Sequence, residues 1–393
     1  MPRSLTVLGL LTLFVVLVGV TIGGVAENWP QKRTIARPVG LQHPHTYKAH
    51  VTAVRAAKCR APVATGCVVA TIRLEQGPDR GKTTTLRLGD AGGNIDIGVG
   101  DRVLVYKNPL PAGAVLPGVR LDAYSFSDFQ RGRPLLLLAL VFAGIVLLAG
   151  RFHGLRALVG LTASLATVVF FVVPAIADGR PPLQVAAFGG LGVMLLTIPL
   201  VHGGGAKSLA ACLGTAAALL LTLGLANLFT KLTHLSGLTS DAAVYLQATT
   251  HVSVRGLLLA GMVIGALGVL GDTTVTQAST VIALRRANPS LGFAGLVTHA
   301  ASVGRDHIAA TVNTLVLAYT GAALPVLIIF SVGGTSISQA VTTEAVAEAA
   351  VATLVGSIGL IAAVPVTTVL AALLALHLPE RRLRAEQVHV HAH

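Results

Sequence analysis

Two aspartates stand in long apolar stretches of the chain, and a carboxylate in that setting is where this sequence can do chemistry. Asp272 follows Gly261, Gly265 and Gly268 at spacings of four, three and four residues, which places all four on one face of a helix. Thr276 and Ser279 continue that face, with Thr273, Thr274 and Gln277 beside it. Asp306 lies in THAASVGRDHIAATVNTLVLAY, where His299, Asp306 and Asn313 recur every seven residues and Arg305 and His307 flank the acid. An ionised side chain in hydrocarbon costs about 2.5–3.5 kcal/mol on insertion scales, so such groups face a bundle interior or a watery cavity. The expected ion- or substrate-binding set is therefore Asp272, Thr276, Asp306, His307 and Asn313. Gly261, Gly265 and Gly268 are expected to let a second helix pack closely. The competing reading makes Arg305 and Asp306 an interfacial cap that pairs with headgroups or with each other.

Other chemistry is poorly represented. HExxH, GxSxG and triad patterns are absent, so no enzyme is expected, and neither is a cofactor or a resident metal. Gly203, Gly204 and Gly205 read as a flexible turn, and His389, His391 and His393 as a tail.

The elements that must hold these residues are membrane helices. Hydrophobic residues make up 53% of the 393 and charged ones 11%, against about 25% charged in a soluble domain. The net charge of +13 is spread along loops without a recognition motif, so no nucleic-acid partner is expected; the partner is the lipid bilayer. A crossing needs about 20 apolar residues. Runs fall at 5–26, 134–149, 155–177, 183–201, 208–229, 254–271, 312–332 and 351–376, which gives an α-helical polytopic protein of about eight spans. The first run exceeds the usual signal-peptide core of about 7–15 residues and reads as an uncleaved anchor over 1–26. Arg3, Arg151, Arg156, Lys207, Arg285, Arg286, Arg305, Arg381, Arg382 and Arg384 occupy alternate loops. The positive-inside rule then puts both termini in the cytoplasm. Arg180, Lys231 and Arg255 depart from the pattern singly. Residues 134–378 form a seven-helix membrane domain and 379–393 a basic, histidine-containing cytoplasmic tail.

From Ser253, an expected N-cap, to Asp272 is about 28 Å at 1.5 Å per residue. Asp272 is thus expected near the cytoplasmic face. The segments 253–286 and 290–330 are long for single crossings, so breaks are expected near Gly271 and Gly304. Pro174, Pro199, Pro325 and Pro365 fall inside apolar runs, where proline kinks a helix and transporters use broken helices.

Residues 27–133 form the one large non-membrane segment, expected on the extracytoplasmic side. Stretches 47–55, 67–75, 83–88 and 102–106 are rich in Val, Thr and Ile, and Gly77-Pro78-Asp79-Arg80-Gly81 is a turn. Four or five strands in this length imply a small β-barrel, OB-like in type, that docks a protein partner or serves structurally. Cys59 and Cys67 fall in this domain, where an oxidising exterior permits a disulfide. Cys212 reads as a small apolar residue of the fifth span.

Three strings carry a resemblance: GALGVLGDTTVTQAST, the following ANP, and GRDHIAATVNTLVLAYTGAALPVL. With YSFSDFQRGRPLLLLA at 124–139 they resemble the YibE/F family of bacterial membrane proteins, over about residues 47–376. The resemblance implies a multi-pass protein of the bacterial cell membrane and names no substrate. It also implies an acidic residue in many relatives where this chain has Gly271, which disfavours a divalent-metal site more than a proton site. The leading expectation is a transporter or permease coupled to protons or cations. The rivals are an envelope scaffold that works through its outer domain and a membrane enzyme acting on a lipid-linked substrate.

Overall fold

The computed structural model describes residues 3–31, 45–59, 66–89, 95–108, 115–116, 119–120, 122–334 and 336–377. The tail at 379–393 lies outside the described residues. The chain divides into two units, one of residues 1–35 and 149–393 and one of residues 36–148.

The smaller unit is built on strands β1 (Thr46–Ala56), β2 (Val68–Leu74), β3 (Thr83–Leu88), β4 (Arg102–Lys107), β5 (Val115–Leu116), β6 (Val119–Arg120) and β7 (Tyr124–Phe129). Five of them form an antiparallel sheet in the order β3-β2-β1-β4-β7, and β5 pairs with β6. Alternate residues Ala49 and Val51, Ala70, Ile72 and Leu74, Leu86 and Leu88, and Val103 and Val105 fill its core, the period of a half-buried strand. A bulge between Val51 and Ala53 bends β1, so that its first half pairs with β4 and its second half with β2 alone. The expected small OB-like β-barrel is a half-barrel, because no ladder joins β3 to β7. The β2–β3 turn spans the open side. Its Asp79 carboxylate accepts hydrogen bonds from Lys82, Lys107 and Tyr124, each 2.8 Å long, which ties the turn to β4 and β7. Cys59 and Cys67 are joined by a disulfide. The segment 132–148 that follows the sheet is apolar and exposed on all sides apart from a few half-covered residues, as a helix meant for lipid is.

Helices α1 (Arg3–Glu27), α2 (Gly132–Thr167), α3 (Val173–Ala177), α4 (Pro182–His202), α5 (Ala206–Leu232), α6 (Asp241–Thr249), α7 (Val254–Ala287), α8 (Phe293–Val332), α9 (Ile337–Thr342) and α10 (Glu344–His377) complete the fold. Among the described residues, seven helical stretches are long and apolar enough to cross a membrane. The second and third expected runs fall in one of them, the 46-residue stretch Gly132–Ala177. Arg151 leaves helical geometry there (φ 46°, ψ −121°) and bends the stretch. A π-helical turn at Val168–Val172 precedes Pro174, which has no N–H to continue the α ladder.

In the larger unit α5, α7 and α10 pack on one another, with α4 against α7, α8 against α10 and α7, and α1 against α4. A methyl placed on Gly214 would overlap Thr367, and one on Gly359 would overlap Thr222. Bare glycine thus lets α5 and α10 cross closely at two levels. Against expectation, α7 and α8 run unbroken past Gly271 and Gly304. Gly304 is a packing notch: a Cβ there would stand 2.5 Å from Val364 Cγ1 and 3.0 Å from Gln277 Oε1. At about 51 and 60 Å by their rise per residue, α7 and α8 reach well beyond a hydrocarbon core about 30 Å thick.

Asp79 contributes to the acid stability of the half-barrel. The bonds from Lys107, Lys82 and Tyr124 hold its carboxyl far below the usual carboxylate range. Burial, and then the bond to Asp79, push the Tyr124 hydroxyl up to about 12. A depressed carboxylate stabilises the fold fully above the unfolded value of about 3.9 and loses that contribution as pH falls through the folded value. Intrinsic-rate-corrected hydrogen-exchange protection across Thr83–Leu88 and Tyr124–Phe129 should fall below about pH 4. Asp79→Asn should lower it at neutral pH and shrink that acid limb; the remainder belongs to Asp128, whose carboxyl is held low by the Phe129 amide and Arg131.

Candidate functional site

The site is organised by α7. Ser253 caps its start by accepting from Gly256 N at 3.1 Å, and Arg285 and Arg286 stand in its last turn, where cations suit the helix dipole. One face, including Leu259, Val263, Ala266, Leu270, Thr274, Ala278 and Val281, is buried in the bundle. The other carries Gly261, Gly265, Gly268, Asp272 and Thr276 and is exposed.

The glycine expectation is therefore corrected. Among the described residues, no heavy atom lies within 4 Å of a Cβ built on Gly261 or Gly268, and Gly265 would meet only Tyr319 Oη, at 3.1 Å. Bulky apolar residues on the opposite face already seat α5 and α10, so the small residues leave space instead of filling it. The close glycine contacts between helices include Gly214, Gly359, Gly304, Gly24 of α1 against Phe188 of α4 and, between α4 and α7, Gly190 against Leu267.

The space left over is a cavity of about 310 Å³ between α2, α4, α7 and the π turn. Asp272, Gly268 and Gly271 line it from α7, Thr197 and His202 from α4, and Ser164 and Thr167 from α2. The rest of the wall is mainly apolar, including Val168, Val172, Met194 and Ile264. Among the described residues nothing forms a hydrogen bond or ion pair with the Asp272 carboxylate. His202 interacts electrostatically with Asp272, Lys207 and His153, and Asp272 is the one acid in that group of four. No three His, Cys, Asp or Glu side chains gather as a metal-ligand set among the described residues.

The other expected site residues are dispersed. Thr276 is exposed on α7 one turn past Asp272, and Asp306 and Asn313 are exposed on α8; none of the three lines the cavity. His307 Nε2 lies 3.4 Å from Thr273 Oγ1, so it touches the neighbour of Asp272.

Behind Asp272 runs a buried polar layer. Thr215 and Thr274 share a 2.6 Å hydrogen bond, and each also contacts a carbonyl of its own helix, Ala211 O at 2.8 Å and Gly271 O at 3.1 Å. Two hydroxyl protons cannot serve three contacts at once, so one carbonyl contact yields to the cross-helix bond. Gln277 Nε2 donates to Ala300 O at 2.9 Å and to Thr368 Oγ1 at 2.7 Å, which ties α7 to α8 and α10. Thr215, Thr368 and His202 escaped the sequence reading, since a lone threonine in an apolar run gives no periodic signal. His202, next to the Gly203–Gly205 turn, was the available clue.

The YibE/F-like protein family matches residues 138–377. The chain belongs to that family. The match takes in every wall of the Asp272 cavity and leaves the strands of the half-barrel outside. No curated protein and no solved structure is detectably similar. Gly271, where the resemblance implies an acid in many relatives, lines the cavity beside Asp272.

The notch at Gly304 has a test that depends on sign. With free space, Gly→Ala inside a helix stabilises by about 1 kcal/mol. Here Gly304→Ala should destabilise by about 1–3 kcal/mol, the cost of overpacking, and Val364→Ala added to it should recover part of the loss. Unfolding of the purified protein in mixed micelles measures both.

Proposed function

We propose that this YibE/F-like protein is a membrane transporter coupled to protons or cations, with Asp272 as the coupling carboxylate. The observation that carries the reading is an acid with no bonding partner among the described residues, facing a cavity in a helical body otherwise built for lipid. An intramembrane carboxylate left this way is costly, and its retention is accounted for when it holds and releases a cation or proton. His202 across the cavity adds an imidazole, a second group able to take up a proton. The mainly apolar wall suits a site that binds weakly enough to release.

The topology that goes with this reading has eight crossings, the bent stretch Gly132–Ala177 supplying two of them on either side of Arg151. Both termini are cytoplasmic and the half-barrel is outside the bacterial cell membrane, where the Cys59–Cys67 disulfide is chemically at home. The cavity then opens toward the cytoplasmic end of α4. Asp306, exposed on α8, belongs to the interface and not to the pathway.

In vesicles containing the purified protein, pH- or cation-dependent flux should be abolished by Asp272→Asn and retained by Asp306→Asn. Flux that survives in Asp272→Asn, measured with the variant folded as judged by gel filtration, contradicts the reading. Loss of the cellular phenotype on deleting the half-barrel, with Asp272→Asn normal, would favour a scaffold.

A further inference from the structure

A second cavity, of about 500 Å³, lies against the first turns of α7. Thr239, Ser240, Gly261, Tyr319 and Glu348 are among the residues that line it. We propose that it is a site for a small cation on the same pathway as the Asp272 cavity, divided from it by Tyr319 lying over Gly265. The inference rests on the transport reading and adds an outer site and a constriction to it.

The chemistry follows from two glutamates one turn apart. Glu344 is fully engaged: its carboxylate accepts from Ser236 N, from Gly237 N at 2.8 Å and from Ser236 Oγ at 2.8 and 3.0 Å. These bonds fasten the loop after α5 to the first turn of α10 and hold the cavity rim in place. Glu348 faces the cavity half-buried, and only its Oε2 is occupied, by Thr239 Oγ1 at 2.9 Å. Its Oε1 has no partner among the described residues. The oxygen set of Glu348, Thr239, Ser240 and the Tyr319 hydroxyl, without cysteine or histidine, is one for a hard or organic cation. The tyrosine ring adds an attractive face for such a cation.

The link between the cavities is the glycine face. Gly261 lines the outer cavity and Gly268 the inner one, about 10 Å apart along the helix by rise. Gly265 stands between them on the same face, and the absence of a side chain there is what lets the Tyr319 hydroxyl approach the α7 backbone. Tyr319 lines only the outer cavity, so turning its side chain off Gly265 would join the two spaces.

Thiol labelling tests this without measuring flux. Gly261→Cys and Gly268→Cys have room for the new side chain, and the protein without an introduced cysteine is the blank. Oriented vesicles are treated from each side with a trimethylammonium methanethiosulfonate or its sulfonate counterpart. From the face where the outer cavity opens, Gly261→Cys should react about tenfold or more faster with the cation than with the anion, relative to a free small thiol. Glu348→Gln should remove that preference. Gly268→Cys should be protected from that face and become reactive when Tyr319→Ala is added. A charge preference unchanged by Glu348→Gln overturns the cation site, and Gly268→Cys reacting from that face with Tyr319 in place overturns the constriction. These rates do not depend on Asp272. The expected labelling together with surviving flux in Asp272→Asn would reject the coupling role and keep the outer site, and the reverse pattern would do the opposite.

Discussion

The close crossing of α5 and α10 is the constraint from which the rest of the membrane body follows. Between helices in lipid there is no hydrophobic driving force, so association rests on packing and hydrogen bonds. Gly214 against Thr367 and Gly359 against Thr222 bring the two backbones together, and α7 lies on the pair with its bulky apolar face and the Thr274–Thr215 bond. Once that face is committed, the opposite face of α7 offers α2, α4 and α8 mainly its glycines, Asp272 and Thr276, with Ile264 and Leu267 at its edge. They cover it incompletely, and both cavities are the unfilled remainder.

This arrangement gives the polar groups two different roles. Gln277, Thr215, Thr274 and Thr368 are buried and bonded, and they hold helices in register. Asp272 and Glu348 each keep a carboxylate oxygen free at a cavity. A satisfied polar layer behind an unsatisfied acid fixes the wall against which a bound ion or proton would sit. It also limits which helices can move: α4 and the bent stretch ending in the π turn border the inner cavity with fewer polar ties to α7.

The sequence made the membrane class, most of the helices and four of the sheet strands readable, because apolar runs and period-two alternation are local signals. It also singled out Asp272, since an acid after a glycine ladder in an apolar run is rare. Three-dimensional partnership was less visible. Spacing put Gly261, Gly265 and Gly268 on one face correctly, but whether a small-residue face is filled or left empty depends on the bulk of the face behind it. Gly304 looked like a hinge because a glycine in a polar stretch reads the same whether it bends a helix or admits Val364. The half-barrel read as a small barrel because strand count does not reveal that β3 and β7 share no ladder. Asp272 and Asp306 looked like partners because both interrupt adjacent apolar runs, yet they occupy differently directed faces of α7 and α8.

Whether the Asp272 carboxylate changes its state when protons or a cation are supplied decides the proposed coupling role. Infrared difference spectroscopy on the reconstituted protein, across a step in pH or in cation concentration, reads this directly. With Asp272 as the coupling group, a carboxyl band should appear and disappear with the step, be missing in Asp272→Asn and be unaltered in Asp306→Asn. A difference spectrum that is the same with and without the Asp272 carboxylate would contradict that role.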